Sequence, residues 1–362
     1  MNAVILAGGF GSRLSPITDN LAKPMLSVAN APMIDYSVSH LFNSGVKDFV
    51  FTLNYKPQDI IEWCIGYKGV TSRFSLESEP LGTLGGVKAV EDYLHDVFIV
   101  CSGDCIADVD FKSMINTHLN SNASVTMAVA HASDASCFGV PTIDDTGRIT
   151  GFVEKPQTRG NGCLVNTGIY IINKSILSIV PKYTKIDFAN DLFPTLAFKG
   201  ELQAFVHDGY WQDAGTLDRY YSANFDIKNS NLIKPAPNMH RIQCTTHSAQ
   251  CTIDDDNLGL DAEQQKNSPP KEGWQAQPDG VGKNSLIATT AQINGNIQNC
   301  IIGDKAYVEN SANLTNCIVL KGAKAVGTQN GTIIGKGYNL AVKPQTHDYF
   351  AQDLSQGENY YS

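Results

Sequence analysis

Apolar residues recur every six positions late in this 362-residue chain: Ile302, Val308, Leu314, Leu320 and Val326, preceded by Ile287 and Ile293. Glycine follows two of them, at Ile302-Gly303 and Val326-Gly327. A six-residue apolar period matches one short face of a left-handed parallel β-helix, in which each inward residue stacks on the one a coil away. The alternative is an ordinary β-rich tail with accidental spacing. The stretch is long enough for about three coils, which suits a packing or oligomerisation module better than an acyltransferase. No histidine lies between Ile287 and Val326, and His347 stands alone beyond them, so an acyl-transfer base is not in evidence.

The first 228 residues read differently. Apolar strands alternate with amphipathic helices, the pattern of a mostly parallel α/β sheet. Strands are predicted at 2–7, 48–53, 73–77, 97–101, 124–130, 149–154, 165–172 and 201–206, and helices near 32–43, 57–65, 84–93 and 188–198. The predicted division is 1–228 for the α/β domain, 229–285 for a linker or partly disordered insertion, 286–340 for the short β-helix and 341–362 for a tail. Residues 254–284 are rich in Asp, Gln, Asn, Pro and Gly and poor in apolar side chains.

The first predicted strand runs into Gly8-Gly9-Phe10-Gly11-Ser12-Arg13-Leu14, with Lys23-Pro24-Met25-Leu26 soon after. Three glycines permit positive φ and let successive N–H groups approach an anion, while Arg13 and Lys23 add charge. Two commoner glycine loops fail on residues. Counting from Gly9 and Gly11, a dinucleotide fingerprint would need glycine where Leu14 stands, and no Gly-Lys-Ser or Gly-Lys-Thr of a P-loop occurs. What remains, Leu6-Ala7-Gly8-Gly9-x-Gly11-Ser12-Arg13-Leu14-x-Pro16 with Lys23-Pro24, resembles the signature of the nucleotidyltransferases that make nucleotide-diphosphate sugars. The fold this implies is a Rossmann-like, mixed but mostly parallel sheet, with the β-helix tail some members carry.

Further elements follow in that family's order. The run from Val97 through Cys101 to Gly103-Asp104 is a buried-type strand ending in a carboxylate, the hard oxygen donor Mg²⁺ prefers. It resembles the family's metal-binding segment, and Trp211-Gln212-Asp213-Ala214-Gly215-Thr216 resembles its second metal element. Resemblance thus makes Asp104 and Asp213 the Mg²⁺ ligands, while Asp108 or Asp110, which follow closely, read as a turn residue or helix cap. Taken alone, an Asp before Ala-Gly could equally cap a helix. Resemblance also assigns Arg13 to the departing pyrophosphate and Lys23 to the α-phosphate. The nucleotide would lie on Leu6, Ala7, Gly8, Gly9, Gly11, Ser12 and Arg13, with the base against Glu77, Pro80, Gly82 and Thr83. A carboxylate only accepts hydrogen bonds and guanine offers two adjacent donors, so Glu77 favours guanine over uracil or thymine. Glu77 and Glu79 as solvated strand-end charges are the other reading. Gly139 in Phe138-Gly139-Val140, Glu154-Lys155 before Pro156, and Asn166 resemble the sugar-phosphate elements, with Lys155 on the phosphate and Glu154 on sugar hydroxyls.

The implied reaction joins an NTP and a sugar 1-phosphate into an NDP-sugar with release of pyrophosphate. GTP with mannose 1-phosphate or a manno-heptose 1-phosphate is favoured, because Glu79-Pro80-Leu81-Gly82-Thr83 resembles the guanylyltransferase branch. Thr83-Leu84-Gly85-Gly86 departs from that branch's Thr-Ala-Gly. The alternatives are a glucose-1-phosphate enzyme using UTP, dTTP, CTP or ATP, and a non-catalytic regulatory subunit that binds a nucleotide sugar. The formal net charge of −9 and the absence of a long Lys or Arg run argue against a nucleic-acid or anionic-membrane surface. No stretch reaches the apolar length of a membrane span, so a cytoplasmic protein is expected. Nine scattered cysteines without C-x-x-C predict reduced, structural thiols, and no histidine is assigned to catalysis. A homo-oligomer, assembled through the β-helix, is the expected form.

Overall fold

Seven strands of the N-terminal region pair into one twisted sheet. In the computed structural model, which describes residues 1–65, 67, 69–157, 162–229, 284–288 and 290–342, the strands of this region are β1 (Ala3–Leu6), β2 (Ser27–Val28), β3 (Ala31–Pro32), β4 (Asp48–Leu53), β5 (Thr71–Leu76) and β6 (Val97–Ser102). They continue with β7 (Cys105–Ala107), β8 (Val125–Ala132), β9 (Gly139–Ile143), β10 (Ile149–Glu154), β11 (Cys163–Asn173), β12 (Leu202–Val206) and β13 (Trp211–Asp213). The helices are α1 (Met33–Asn43), α2 (Pro57–Ile65), α3 (Gly82–Ala89), α4 (Phe111–Ser121), α5 (Phe193–Lys199) and α6 (Leu217–Asn229).

The main sheet has the order β12-β8-β11-β6-β1-β4-β5. All its neighbours are parallel except β11, which runs antiparallel to both β6 and β8. Central strands are buried on both faces, as continuous apolar runs require: Ala3, Val4, Ile5, Phe98, Ile99 and Val100 are all fully buried. The mixed, mostly parallel sheet expected from the sequence is therefore present. Helices α4 and α6 form where the apolar pattern predicts none. Asp110 caps α4, its carboxylate accepting the Ser113 N–H at 3.0 Å, so the local turn chemistry starts a helix that its mixed polar composition conceals.

By internal contacts the chain divides into a first unit of residues 1–61, 69–237 and 344–362 and a second of 62–68 and 238–343. The expected linker at 229–285 and tail at 341–362 lie, apart from 229, 284–285 and 341–342, outside the described residues. The second unit carries three parallel sheets: β14 (Leu286–Ile287), β17 (Ile301–Ile302), β20 (Ile318–Val319) and β23 (Thr332–Gly335) in one, closed by the antiparallel β24 (Tyr338–Ala341). The others stack β15 (Gln292–Ile293), β18 (Tyr307–Val308) and β21 (Lys324–Ala325), and β16 (Asn296–Gln298), β19 (Asn313–Thr315) and β22 (Thr328–Asn330). Three short faces repeated along the chain make a parallel β-helix.

Its register corrects the six-residue count. Ile302, Val308 and Leu314 are buried as expected, but the next inward residues are Val319 and Ala325, each one position before the expected Leu320 and Val326. Val326 is 42% exposed. The slip arises at Asn316, whose φ of +53° makes a tight turn one residue short of the ideal side. A second irregularity sits at one corner only. Register pairs Ile293 with Val308 and Ile297 with Leu314, so residues 309–313 span the corner that 294–296 span one coil earlier and 326–328 one coil later. Gly295 serves the shorter corner, since a Cβ there would lie 2.6 Å from the Ala312 carbonyl oxygen.

Candidate active site

Strands β1 and β6 end side by side, with the Gly103 N–H donating to the Leu6 carbonyl at 2.9 Å. The chain passes from β1 to β4 and β5 on one side and returns to β6 on the other. Such a reversal of strand order leaves a crevice beyond the carboxyl ends of parallel strands. Both expected loops, the one after Ala7 and the one after Cys101, open there.

Of the three loop glycines only Gly11 takes positive φ, at +66°, so the cradle is less contorted than three glycines suggested. A Cβ on Gly11 would stand 2.9 Å from Thr18 Cγ2 and 3.0 Å from Lys23 Cβ, and the Thr18 hydroxyl donates to the Gly11 carbonyl at 2.9 Å. The glycine thus lets the loop close onto the segment that carries Lys23. Gly8 lies against Asn54, and the Ala7 N–H is held by the Thr52 carbonyl at 3.0 Å. Ser12 and Arg13 stand exposed on the short turn that follows.

Lys23 opens a tight turn stiffened by Pro24 and is 6% exposed. Its ammonium bonds Asp104 and lies 3.7 Å from Asp213 Oδ1. Asp213 arrives from far along the chain because β13 pairs antiparallel with β7, setting Asp213 opposite Cys105. Burial alone would discharge Lys23, but the carboxylates of Asp104 and Asp213 hold its pKa above the usual lysine value. Burial likewise opposes the charge on Asp104, and the Lys23 ammonium and the Ser102 hydroxyl overcome it, leaving that carboxyl below its usual range. Asp213 goes the other way, raised by burial and by the charge of Asp104.

Two further cations face Asp213. Arg219 Nη1 is 3.6 Å from Oδ2, and a Cβ on Gly215 would fall 2.9 Å and 3.0 Å from the two carboxylate oxygens and 3.1 Å from Arg13 Nη2. Gly215 is bare where Asp213 and Arg13 converge. Mg²⁺ asks for oxygen donors and accepts one or two carboxylates completed by water and phosphates. Asp104 and Asp213 already share one cation, the Lys23 ammonium, so the donor set fits such an ion. Among the described residues no group of three or more His, Cys, Asp or Glu side chains could hold a metal.

The expected base-binding residues lie on the turn from β5 into α3. Glu77 Oε2 accepts the Leu81 N–H at 3.0 Å, and Oε1 stands where a Cβ on Gly86 would be 2.6 Å away. Partial burial raises its pKa, against the Leu81 hydrogen bond. Pro80 is exposed. Gly82, at φ +76°, turns the chain under the Ile186 carbonyl, and the Thr83 N–H and hydroxyl donate to Asp187 Oδ1 at 2.9 Å and 3.0 Å.

The expected sugar-phosphate residues cluster round β9, β10 and β11. Gly139 and Glu154 are register partners, and a Cβ on Gly139 would collide with the Phe152 ring and reach within 2.8 Å of Glu154 Oε2. Consecutive residues on a strand face opposite ways, yet Lys155 turns at φ +48° and its ammonium pairs with Glu154 Oε1 at 3.0 Å. Asn166 sits at a break in the β8–β11 register, donating to the Tyr170 hydroxyl at 2.9 Å and accepting from the Gly168 N–H at 3.0 Å. This cluster meets the carboxylate centre through Trp211. Its indole donates to the Thr167 carbonyl at 3.2 Å, and its ring meets Phe138 edge-on at 5.1 Å.

Sequence reasoning did not single out Ser102, Arg219 or the buried His207, whose Nε2 lies 3.1 Å from Asp108 Oδ1. Ser102, two residues before Asp104 at the strand end, carried a local signal. The other two depend on β7 meeting β13. No helix among the described residues is long and apolar enough to cross a membrane.

Comparison with known proteins agrees with the geometry. The nucleotidyl transferase family profile matches residues 2–230. A mannose-1-phosphate guanyltransferase of Yarrowia lipolytica is 36% identical over 250 residues, 65% of this chain and 68% of that protein. One of Saccharomyces cerevisiae is 34% identical over 246 residues, 66% of this chain and 67% of the other. The crystal structure of HddC from Yersinia pseudotuberculosis superposes with a TM-score of 0.55 at 32% identity, covering 62% of this chain and 99% of that one, and HddC has also been solved with GMP-PN. The chain belongs to the nucleotidyl transferase family, the one its N-terminal loop resembles.

Proposed function

We propose that the protein transfers a guanylyl group from GTP to a mannose-type sugar 1-phosphate, giving a GDP-sugar and pyrophosphate. The observation that carries the reading is the buried Lys23 shared by Asp104 and Asp213 at the reversal of strand order. The names of the relatives supply the substrates: mannose-1-phosphate guanyltransferases at 34% and 36% identity, and a neighbour solved with GMP-PN. The Glu77 carboxylate, an acceptor-only group, suits the paired donors of guanine.

The nucleophile is a phosphate oxygen of the sugar 1-phosphate, already ionised at neutral pH. It attacks the α-phosphorus in line, the P–O bond to the β-phosphate breaks, and pyrophosphate leaves with that electron pair. No general base is required, so catalysis reduces to positioning and charge stabilisation. Lys23 steadies the α-phosphate and Arg13 the departing pyrophosphate. Asp104 and Asp213 would hold Mg²⁺, which when bound would supply positive charge against the phosphates. Glu154 and Asn166 orient the sugar, with Gly139 leaving room at the backbone and Lys155 meeting its phosphate. Assembly with further copies through the β-helix belongs to the same proposal, and sedimentation of the intact chain tests it.

The deciding experiment is pyrophosphate release with Mg²⁺ across a matrix of five nucleotides and several sugar phosphates. GTP with mannose 1-phosphate or a manno-heptose 1-phosphate should lead. Release led by UTP or dTTP with glucose 1-phosphate would replace the substrate reading, and no release from any pair would favour a regulatory subunit.

A further inference from the structure

We infer that Arg219, on the first turn of α6, is a specificity-determining residue that grips the phosphate of the sugar 1-phosphate together with Lys155. The inference rests on the proposed reaction and names a residue that neither the motifs nor the composition marks out. Its guanidinium carbon lies 4.6 Å from the centroid of the Phe138 ring, and its Nη1 lies 3.6 Å from Asp213 Oδ2, beyond hydrogen-bond reach. Nη1 is buried and makes no hydrogen bond among the described residues. A buried arginine donor held near a carboxylate but without a hydrogen bond costs free energy unless a ligand completes it.

What would complete it follows from the two neighbours. Asp213 belongs to the carboxylate pair proposed to face the triphosphate, and Phe138 precedes Gly139, where the hexose is proposed to rest. The part of the substrates lying between an α-phosphate and a hexose is the anomeric phosphate. Stacking on a ring leaves the edge of a guanidinium open, and that edge matches phosphate oxygens in a two-pronged fashion. Lys155, by contrast, offers a 62% exposed side chain already paired with Glu154. A solvated, flexible ammonium gives charge but little direction. The backbone secures α6 locally, since the Gln212 side chain donates to the Arg219 carbonyl at 3.4 Å and the Tyr220 N–H to the Thr216 carbonyl at 2.8 Å. The arginine is therefore mounted on the first helical turn after Asp213.

The competing account is that Arg219 only neutralises Asp213, and it makes different predictions. Initial rates of Arg219→Gln and Arg219→Lys, with GTP and sugar 1-phosphate varied separately, split the two. Loss of a charge-assisted phosphate contact should raise KM for the sugar phosphate by about 10- to 100-fold, with KM for GTP and the Mg²⁺ requirement within about threefold. Arg219→Lys should fall between, keeping the charge without the fork. Unchanged KM for the sugar phosphate overturns the inference, as does a joint rise of both KM values with a higher Mg²⁺ requirement. Titration calorimetry of mannose 1-phosphate, mannose and inorganic phosphate gives a readout free of turnover. Binding of the two phosphates should weaken in both variants relative to the native chain while any mannose signal stays put; equal phosphate binding in all three proteins overturns it. Should the native chain release no pyrophosphate, the proposed reaction falls, yet loss of phosphate binding in the variants would still sustain Arg219 as the anchor. If Arg219→Gln does not fold, Arg219→Lys decides by the same measures.

Discussion

Cys105 and Asp213 face each other across the two-stranded antiparallel ladder of β7 and β13. That one register pair carries Asp213 to Asp104, which immediately precedes β7, and both carboxylates to the ammonium of Lys23. The charge centre is thus held by backbone hydrogen bonds rather than by the side chains alone.

Asp104→Asn keeps the shape of the side chain and removes its charge. Pyrophosphate release should fall by about 2–4 kcal/mol of transition-state stabilisation, or about 30- to 1,000-fold. The variant also leaves a 6% exposed lysine without its main counter-charge, so its melting temperature should drop as well. Activity within threefold of the native chain would remove Asp104 from the site.

Two glycine substitutions should separate folding from activity. At Gly139 a methyl group meets the Phe152 ring, part of the main core, and overpacking of this kind costs about 1–3 kcal/mol. Gly139→Ala should therefore lower the melting temperature clearly. At Gly215 the atoms nearest the methyl are the ends of the Asp213 and Arg13 side chains. Gly215→Ala should leave the melting temperature within a degree or two and reduce turnover at least tenfold, about 1.4 kcal/mol, because the carboxylate must give way.

His207 gives the first unit a pH-dependent clamp on the β7–β13 ladder. Burial opposes its charge, but the Asp108 side chain and the Tyr210 carbonyl outweigh that and hold its pKa above 6.5. A folded-state pKa above the unfolded one lends stability that is complete below the unfolded value and lost as pH rises through the folded value. The melting temperature should therefore decline as pH climbs past 6.5, and His207→Gln should flatten that decline. Scanning calorimetry between pH 6 and 9, about the range set by an ordinary histidine pKa, measures both. Parallel curves for the two proteins would remove His207 from the account.

Glu77→Gln exchanges an acceptor-only group for one that both donates and accepts. With guanine as the base, kcat/KM for GTP should fall by about 10- to 100-fold, and the ratio of dTTP or UTP to GTP use should rise. A competition assay with mixed nucleotides reads that ratio directly, and an unmoved ratio would take Glu77 away from the base.

The register of the β-helix can be tested at neighbouring positions. Val319 is 1% exposed, while Val326 is 42% exposed. Val319→Ala should cost about 1–3 kcal/mol in the melting of the second unit, and Val326→Ala under about 0.5 kcal/mol. The reverse order would restore the strict six-residue register.

Sequence legibility followed locality. Gly11, Lys23 and Asp104 announced themselves because each lies in a short run whose own strand or turn fixes it. Arg219 and His207 did not, because their partners Phe138 and Asp108 come from other segments and meet them only after the sheet and the β7–β13 ladder form. Glycine reasoning expected positive φ at Gly8 and Gly9, where φ stays negative or extended, and a Cβ on Gly9 would meet nothing within 4 Å. In the β-helix the period revealed the architecture, but a left-handed turn at Asn316 is invisible to an apolar count, so Val319 and Ala325 displaced Leu320 and Val326 from the interior.

The corner that varies between coils makes that edge of the β-helix a permissive seam. Residues 309–313 bulge where 294–296 and 326–328 cut across, while Ile287, Ile302, Val319 and Ile334 still stack in line. Length change is confined to a place where it alters no stacked pair. Chain could be added or lost there during divergence, or grafted there by design, without re-indexing the interior of the coil.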